Sequence, residues 1–128
     1  MNLLLDTHAF IWMLEAPEKL SRNVRGAHQD PANALYVSVV SLWEIQIKTA
    51  SGKLEMEIPL AQIVREQLQD ERYRLLDIRA AHILELNALP RPHGDPFDRL
   101  LIAQSRIESL PLVSSDRVFN QYPVERFW

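Results

Sequence analysis

Four acidic residues occur where carboxylates could act together, although each also has an ordinary structural explanation. Asp6 and Asp116 follow strand-like segments and fit helix N-caps, whose side-chain oxygen accepts a backbone N–H. Asp98 falls in the first turn of a predicted helix, where the helix dipole favours negative charge. Glu44 closes a possible capping box and precedes Lys48 by four residues, as in a solvent-exposed ion pair. Considered singly, these acids indicate local structure.

Considered together, the same four acids would have a different chemistry. Four unpaired carboxylates in one crevice repel one another, so at least one pKa rises unless a cation compensates. Mg²⁺ and Mn²⁺ are hard cations that prefer oxygen ligands of this kind. If the fold brings the acids together, we therefore expect a divalent metal site.

The elements that would position the acids alternate between strands and helices. Short apolar runs predict buried strands, and apolar residues at helical spacing predict helices between them. The predicted strands are 2–5, 35–40, 74–78 and 112–115, with 125–128 as a short edge strand. The predicted helices are two short ones within 7–29, one from Ser38 or Ser41 to Gly52, and those at 60–68, 80–89 and 96–107.

This alternation predicts an α/β fold with a mostly parallel sheet of about five strands and helices on both faces. In such a sheet the carboxyl ends of all strands share one edge, and each crossover helix begins there. Asp6 and Asp116 end strands, whereas Glu44 and Asp98 lie early in helices. All four acids should therefore point to the same edge.

Composition limits the class of protein. With 128 residues and 47% hydrophobic content, the chain is expected to form a single domain over 1–128. The absence of cysteine excludes disulfides and thiolate zinc sites, which suits the cytoplasm. The longest apolar run, 9–14, is too short to span a membrane. A net charge of −3 argues mildly against nucleic-acid binding, but metal neutralisation of four carboxylates would bring it to +1.

Several neighbours of the acids are secondary candidates. Thr7 could orient Asp6 through its hydroxyl, or it could be an ordinary first-turn residue. Arg99 and Arg117 each follow a proposed ligand and could contact phosphate. His8 and His93 lie near the same edge, but lone histidines are more often structural, and oxygen-rich sites rarely need imidazole.

Four strings in order along the chain resemble the PIN-domain ribonucleases, and more narrowly the VapC toxins of toxin-antitoxin pairs. They are LLLDTH at 3–8, SLWEI at 41–45, DPFDRLLIA at 95–103 and VSSD at 113–116. The resemblance covers essentially the whole chain, and the ordered set is more specific than any one string. Ser114 stands where many relatives carry threonine, a departure that affects hydrogen bonding rather than charge.

The resemblance implies a three-layer α/β/α fold and a ribonuclease site at Asp6, Glu44, Asp98 and Asp116, with Asp95 as a supporting acid. One or two Mg²⁺ or Mn²⁺ ions would serve hydrolysis of RNA. It also implies a homodimer and a small antitoxin protein that silences the enzyme. No membrane partner is expected.

Alternative functions fit the sequence less well. A receiver-type signalling domain also has an acidic Mg²⁺ pocket, but it needs adjacent acids after the first strand and a late lysine. Here Thr7 follows Asp6, and no lysine occurs after Lys53. A haloacid-dehalogenase-type phosphatase would carry an aspartate where His8 stands. A catalytically silent PIN-like binding module remains an alternative, although all four acids are retained.

Overall fold

The computed structural model describes residues 1–69, 72–90 and 94–128. Strands and helices alternate along the chain, with short 3-10 turns at Pro17–Lys19, Leu86–Ala88 and Arg117–Gln121. The strands are β1 (Asn2–Leu5), β2 (Ala34–Ser38), β3 (Tyr73–Leu76), β4 (Leu112–Val113) and β5 (Arg126–Phe127). The described helices are α1 (Thr7–Glu15), α2 (Arg22–Gln29), α3 (Val39–Ala50), α4 (Leu60–Glu66), α5 (Ala80–Glu85) and α6 (Pro96–Glu108).

The prediction of an α/β fold is confirmed, and the boundary between β2 and α3 is where it needs correction. The strand was predicted to continue to Val40, but Ser38 ends it, because its hydroxyl accepts the backbone N–H of Val40 and caps α3. Ser41 therefore lies inside the helix, and the capping-box interpretation of Glu44 is wrong. The i, i+4 pair between Glu44 and Lys48 does form.

All strand pairs are parallel, and the strand order is β3-β2-β1-β4-β5. The chain builds outward from β1 to β3 and then returns across the sheet to place β4 on the other side of β1. The direction of winding therefore reverses between β1 and β4. In open parallel sheets, crevices for ligands lie at the carboxyl ends of the strands at such a reversal.

Side chains alternate across the sheet and pack into a hydrophobic core on each face. Leu3 and Leu5 of β1 join a core that includes Phe10 of α1. Leu4 faces the opposite side and packs with buried residues of α6 such as Leu101. α1 and α6 are thus held on opposite faces of β1. Among the described helices, none is long and apolar enough to cross a membrane.

A buried polar chain connects α6 to the carboxyl ends of β2 and β3. Gln104 of α6 is fully buried, and its Oε1 accepts the hydroxyl of Ser38 at 2.5 Å. Its Nε2 donates to the carbonyl of Asp77 at 3.2 Å. Because buried polar groups are costly when unpaired, this glutamine fixes the start of α3 relative to α6.

We predict that Gln104→Leu lowers the free energy of unfolding by about 2 kcal/mol, because it removes the acceptor of the buried Ser38 hydroxyl and the donor to the Asp77 carbonyl. Chemical denaturation measures the change. Gln46→Leu is the matched control, because Gln46 is exposed on α3. Equal stability of the Gln104 variant and the wild type would contradict the structural role given to this side chain.

Candidate active site

A cavity of about 370 Å³ opens at the carboxyl ends of β1 and β4, where the winding of the sheet reverses. Its lining includes five carboxylates and one lysine ammonium. These side chains are Asp6, Glu44, Asp95, Asp98, Asp116 and Lys48. The structure therefore brings all four sequence-predicted acids to one cavity, together with the supporting acid. The same edge of the sheet also carries Asp77 after β3, but Asp77 is not among the described residues that line it.

Asp6 is held at the bottom of the crevice by backbone contacts on both sides. Its amide donates to the carbonyl of Val113 at 3.0 Å, which continues the pairing of β1 with β4. Its Oδ1 accepts the amide of Ala9 at 2.7 Å and caps α1. The residue is 7% exposed. Strand pairing and helix capping thus fix this carboxylate before any ligand arrives.

Burial raises the pKa of the Asp6 carboxyl above its ordinary value of 3.8, because desolvation disfavours the charged form. Hydrogen bonds from the Ser114 side chain and the Ala9 amide oppose this rise, as does the nearby His8. The negative field of Glu44 adds to it. The charged form of the Asp6 carboxyl is therefore disfavoured when no cation is near.

Glu44 is buried, not solvated, and two elements hold its two oxygens. The Thr7 hydroxyl of α1 donates to Oε1 at 2.6 Å, and its oxygen lies 3.0 Å from the hydroxyl oxygen of Ser41. Lys48 forms an ion pair with Oε2. Thr7 was predicted to orient Asp6, but the structure directs its hydroxyl to Glu44. Hydrogen bonding by Glu44 and the fields of Asp95 and Asp98 raise the pKa of Lys48.

Asp95 and Asp98 enter the cavity from the start of α6. Asp95 is the N-cap, and its Oδ1 accepts the amides of Phe97 at 2.9 Å and Asp98 at 3.0 Å. Pro96 occupies the first helical position, where its missing N–H costs nothing. Asp98 follows in the first turn and is half-buried. The DPFD string therefore starts the helix and points carboxylates into the cavity.

Asp116 completes the cavity from beyond β4, and Ser114 connects it to Asp6. The Oδ1 of Asp116 accepts the amide of Val118 at 2.9 Å, and its own amide donates to the Ser114 hydroxyl oxygen at 3.0 Å. Ser114 is fully buried and hydrogen-bonds the Asp6 carboxyl. One hydroxyl thus contacts both the Asp6 carboxyl and the backbone of Asp116.

The structure places the arginine and histidine candidates in different surroundings. The guanidinium of Arg99 donates to the carbonyls of Pro90 at 2.6 Å and Leu86 at 3.3 Å, so it braces the segment before α6. These contacts give Arg99 a structural role, and it is not among the described residues that line the cavity. Arg117 is exposed next to Asp116, and His8 lines the cavity. His93 lies outside the described residues.

Two neighbours of the acids, Lys48 and Ser41, were not predicted from the sequence as part of the site. Lys48 was noted only as a surface partner of Glu44, although it lines the cavity. The signal was available, since a lysine four residues after an acid on one helix shares that acid's face. Ser41 was assigned to a helix cap, but it contacts Thr7 across the packing of α1 against α3. Only the tertiary structure reveals that contact.

The donor set fits a divalent cation, but the carboxylates are not yet arranged as ligands. Oxygen donors from Asp6, Glu44, Asp98 and Asp116 match the preference of Mg²⁺ or Mn²⁺, and a bound cation would offset the burial and the field of Glu44 that raise the pKa of Asp6. Within residues 1–69, 72–90 and 94–128, however, no three acids, histidines or cysteines form a group that could hold a metal. A bound cation would therefore draw these oxygens closer together than they lie in this structure.

The family model for the PIN domain matches residues 3–125, nearly the whole chain. The chain belongs to the PIN domain family. The strand order supports this and argues against a receiver, whose order would be 2-1-3-4-5. Searching curated proteins finds no match to the chain.

Solved structures share the fold of this PIN domain at low sequence identity. A chain of VapBC2 from Rickettsia felis bound to a promoter DNA fragment matches with a TM-score of 0.73 and 16% identity, over 99% of this chain and 98% of that one. VapBC-1 from nontypeable Haemophilus influenzae matches with a TM-score of 0.62 and 21% identity, over 99% of this chain and 97% of that one. A toxin-antitoxin complex from Klebsiella pneumoniae matches with a TM-score of 0.57 and 18% identity, over 90% of this chain and 87% of that one.

We predict that Asp6→Asn stabilises the metal-free PIN domain near neutral pH, raising its Tm by a few degrees. Because the folded-state pKa of Asp6 is raised, the folded protein binds this proton more tightly, and stability falls as pH rises through the window above 3.8. Asparagine keeps an oxygen for the Ala9 amide but carries no charge. The advantage should shrink as the pH is lowered toward 3.8, because the raised pKa makes the folded protein take up the Asp6 proton before that pH is reached.

Thermal unfolding in chelator measures this difference. Asp30→Asn is the matched control, because Asp30 is exposed and its Oδ1 also accepts a backbone amide, that of Ala32, at 2.9 Å. An Asp6 variant no more stable than wild type near neutral pH would show that the buried charge is not costly.

Proposed function

We propose that this protein is a metal-dependent ribonuclease and the toxin of a type II toxin-antitoxin pair. The observation that carries the proposal is the convergence of Asp6, Glu44, Asp98 and Asp116 on one cavity at the switch between β1 and β4. Membership of the PIN domain family supports the nuclease assignment. The fold shared with VapBC structures and a toxin-antitoxin complex supports the toxin assignment.

In this proposal the four acids hold one or two Mg²⁺ or Mn²⁺ ions. Such ions, when bound, neutralise phosphate charge and make a bound water a better nucleophile at neutral pH. Without compensation, the acid-lined cavity would repel an RNA phosphate, because like charges at close range in a partly desolvated site disfavour binding.

The chain's own residues orient the reacting groups. The Asp6 and Asp116 carboxylates each accept a backbone amide, and Ser114 contacts both residues, which restricts the positions that the two carboxylates can take. The Thr7 hydroxyl orients Glu44. Asp95 fixes the first turn of α6 and thereby the position of Asp98. The phosphodiester would be hydrolysed to a 5′ phosphate and a 3′ hydroxyl with no covalent enzyme intermediate, since water can serve as the nucleophile.

We predict cleavage of RNA that requires Mg²⁺ or Mn²⁺, is abolished by chelator, and falls at least about a hundredfold in Asp98→Asn, because a lost anionic ligand weakens both metal retention and transition-state stabilisation. Gel analysis of a labelled RNA pool measures it. Asp77→Asn is the control, since Asp77 follows β3 at the same edge but does not belong to the described cavity lining.

Undiminished cleavage by purified, folded Asp98→Asn would reject this site. A wild-type protein that binds the metal and an antitoxin but cleaves no RNA would favour the silent binding module.

Exposed apolar side chains support the proposal of protein partners. Trp43 of α3 is 53% exposed, and Leu84 of α5 is 70% exposed; Ile107 of α6 is also exposed. α3 and α5 both pack against α6, so these residues lie on neighbouring helices. Exposed apolar patches are typical of interaction surfaces. We propose that a second copy of the chain and a small antitoxin protein cover such surfaces.

We predict that expression of the protein arrests growth of a bacterial host within a generation or so, and that a small antitoxin gene encoded beside it restores growth. Asp98→Asn should be harmless at equal protein level, because arrest depends on cleavage. Optical density and immunoblotting measure the two quantities. Equal toxicity of the variant would separate growth arrest from the proposed site.

A further inference from the structure

Lys48 is the one lysine or arginine among the described residues that line the acidic cavity. It lies one turn after Glu44 on α3, and its side chain is one third exposed. The ammonium group contacts Oε2 of Glu44, while the Thr7 hydroxyl occupies Oε1. Both oxygens of this acid therefore already have partners.

This contact differs from an ordinary ion pair on a helix surface. An exposed i, i+4 pair contributes little, because water solvates both charges. Here the Glu44 side chain is only 5% exposed, and other acids line the same cavity. The ammonium therefore supplies positive charge where the carboxylates need it, and where a divalent cation would also supply it.

The arrangement of the acids agrees with the Lys48 ammonium taking the place of a divalent cation. Although the cavity is lined by carboxylates, no group of three in the described part of the chain is placed to hold a metal. Glu44 is directed to Lys48 and Thr7. A second positive charge at Glu44 would meet repulsion from the ammonium, so metal binding must displace Lys48 or overcome its field.

We propose that Lys48 is a tethered counter-ion that stabilises Glu44 in the metal-free site and competes with the divalent cation for it. The inference rests on the proposed function, since it assumes that Glu44 is a ligand. Lys48 would keep the acids together between metal-binding events and would set the metal concentration at which the site fills.

The test measures Mn²⁺ binding directly, without RNA, by calorimetric titration of the chelator-stripped protein. Lys48→Met and Lys48→Gln remove the charge, and they should bind Mn²⁺ about tenfold more tightly than wild type. Lys48→Arg keeps the charge and should bind like wild type. Lys53→Met is the matched control, because Lys53 is exposed beyond α3 and does not line the cavity.

A second readout is thermal unfolding in chelator. Lys48→Met should unfold at a lower temperature than wild type, because Glu44 loses its counter-ion, and saturating Mn²⁺ should recover more stability in this variant than in wild type.

The outcomes separate the inference from the function on which it rests. Unchanged or weaker Mn²⁺ binding by both neutral variants, with normal binding by wild type, would overturn the counter-ion role and leave the metal site intact. Failure of wild type itself to bind Mn²⁺ would overturn both. If Lys48→Met does not fold, the Mn²⁺ affinity of Lys48→Gln decides the question, because the glutamine amide can still donate a hydrogen bond to Glu44.

Discussion

Repulsion among carboxylates in a crevice partly shielded from water is the constraint on which the rest of this structure depends. The cavity brings together acids from four separate segments of the chain, and two of them, Asp6 and Glu44, are buried. Such a cluster persists only if hydrogen-bond donors and positive charge offset its self-repulsion. Backbone amides at the starts of α1 and α6, the hydroxyls of Thr7 and Ser114, and the Lys48 ammonium provide this compensation.

The order of the strands explains why the cluster forms between β1 and β4. Because the chain reverses its winding there, α1 leaves the edge of the sheet on one face and α6 begins near that edge on the other. The starts of helices supply amides that favour negative charge, so the reversal gathers anion-stabilising groups in one crevice. The buried bond between Gln104 and Ser38 then fixes α3, and with it Glu44, against α6.

The layers of the fold were predicted well from the sequence because hydrophobic periodicity is a local signal. Tertiary packing buries the same apolar faces that this periodicity marks. It placed β1 without error and predicted the other strands to within a few residues. The boundary of β2 was wrong because Ser38 both ends the strand and caps α3, and a serine is compatible with either position. The acids of the cavity were found from topology and resemblance. The contact of Thr7 with Glu44 was not, since it joins residues 37 positions apart.

The structural and functional interpretations of these acids are therefore compatible. A carboxylate that caps a helix has one oxygen fixed by a backbone amide, as in Asp6, Asp95 and Asp116, so its side chain has already lost much of its rotational freedom. A ligand that binds such a group pays less for ordering it. Within the described part of the chain, the contacts that hold the Glu44 carboxylate come from the side chains of Thr7 and Lys48. Residues that look purely structural one at a time can thus form the preorganised part of a site, while the acid held by side chains alone is the part left adjustable.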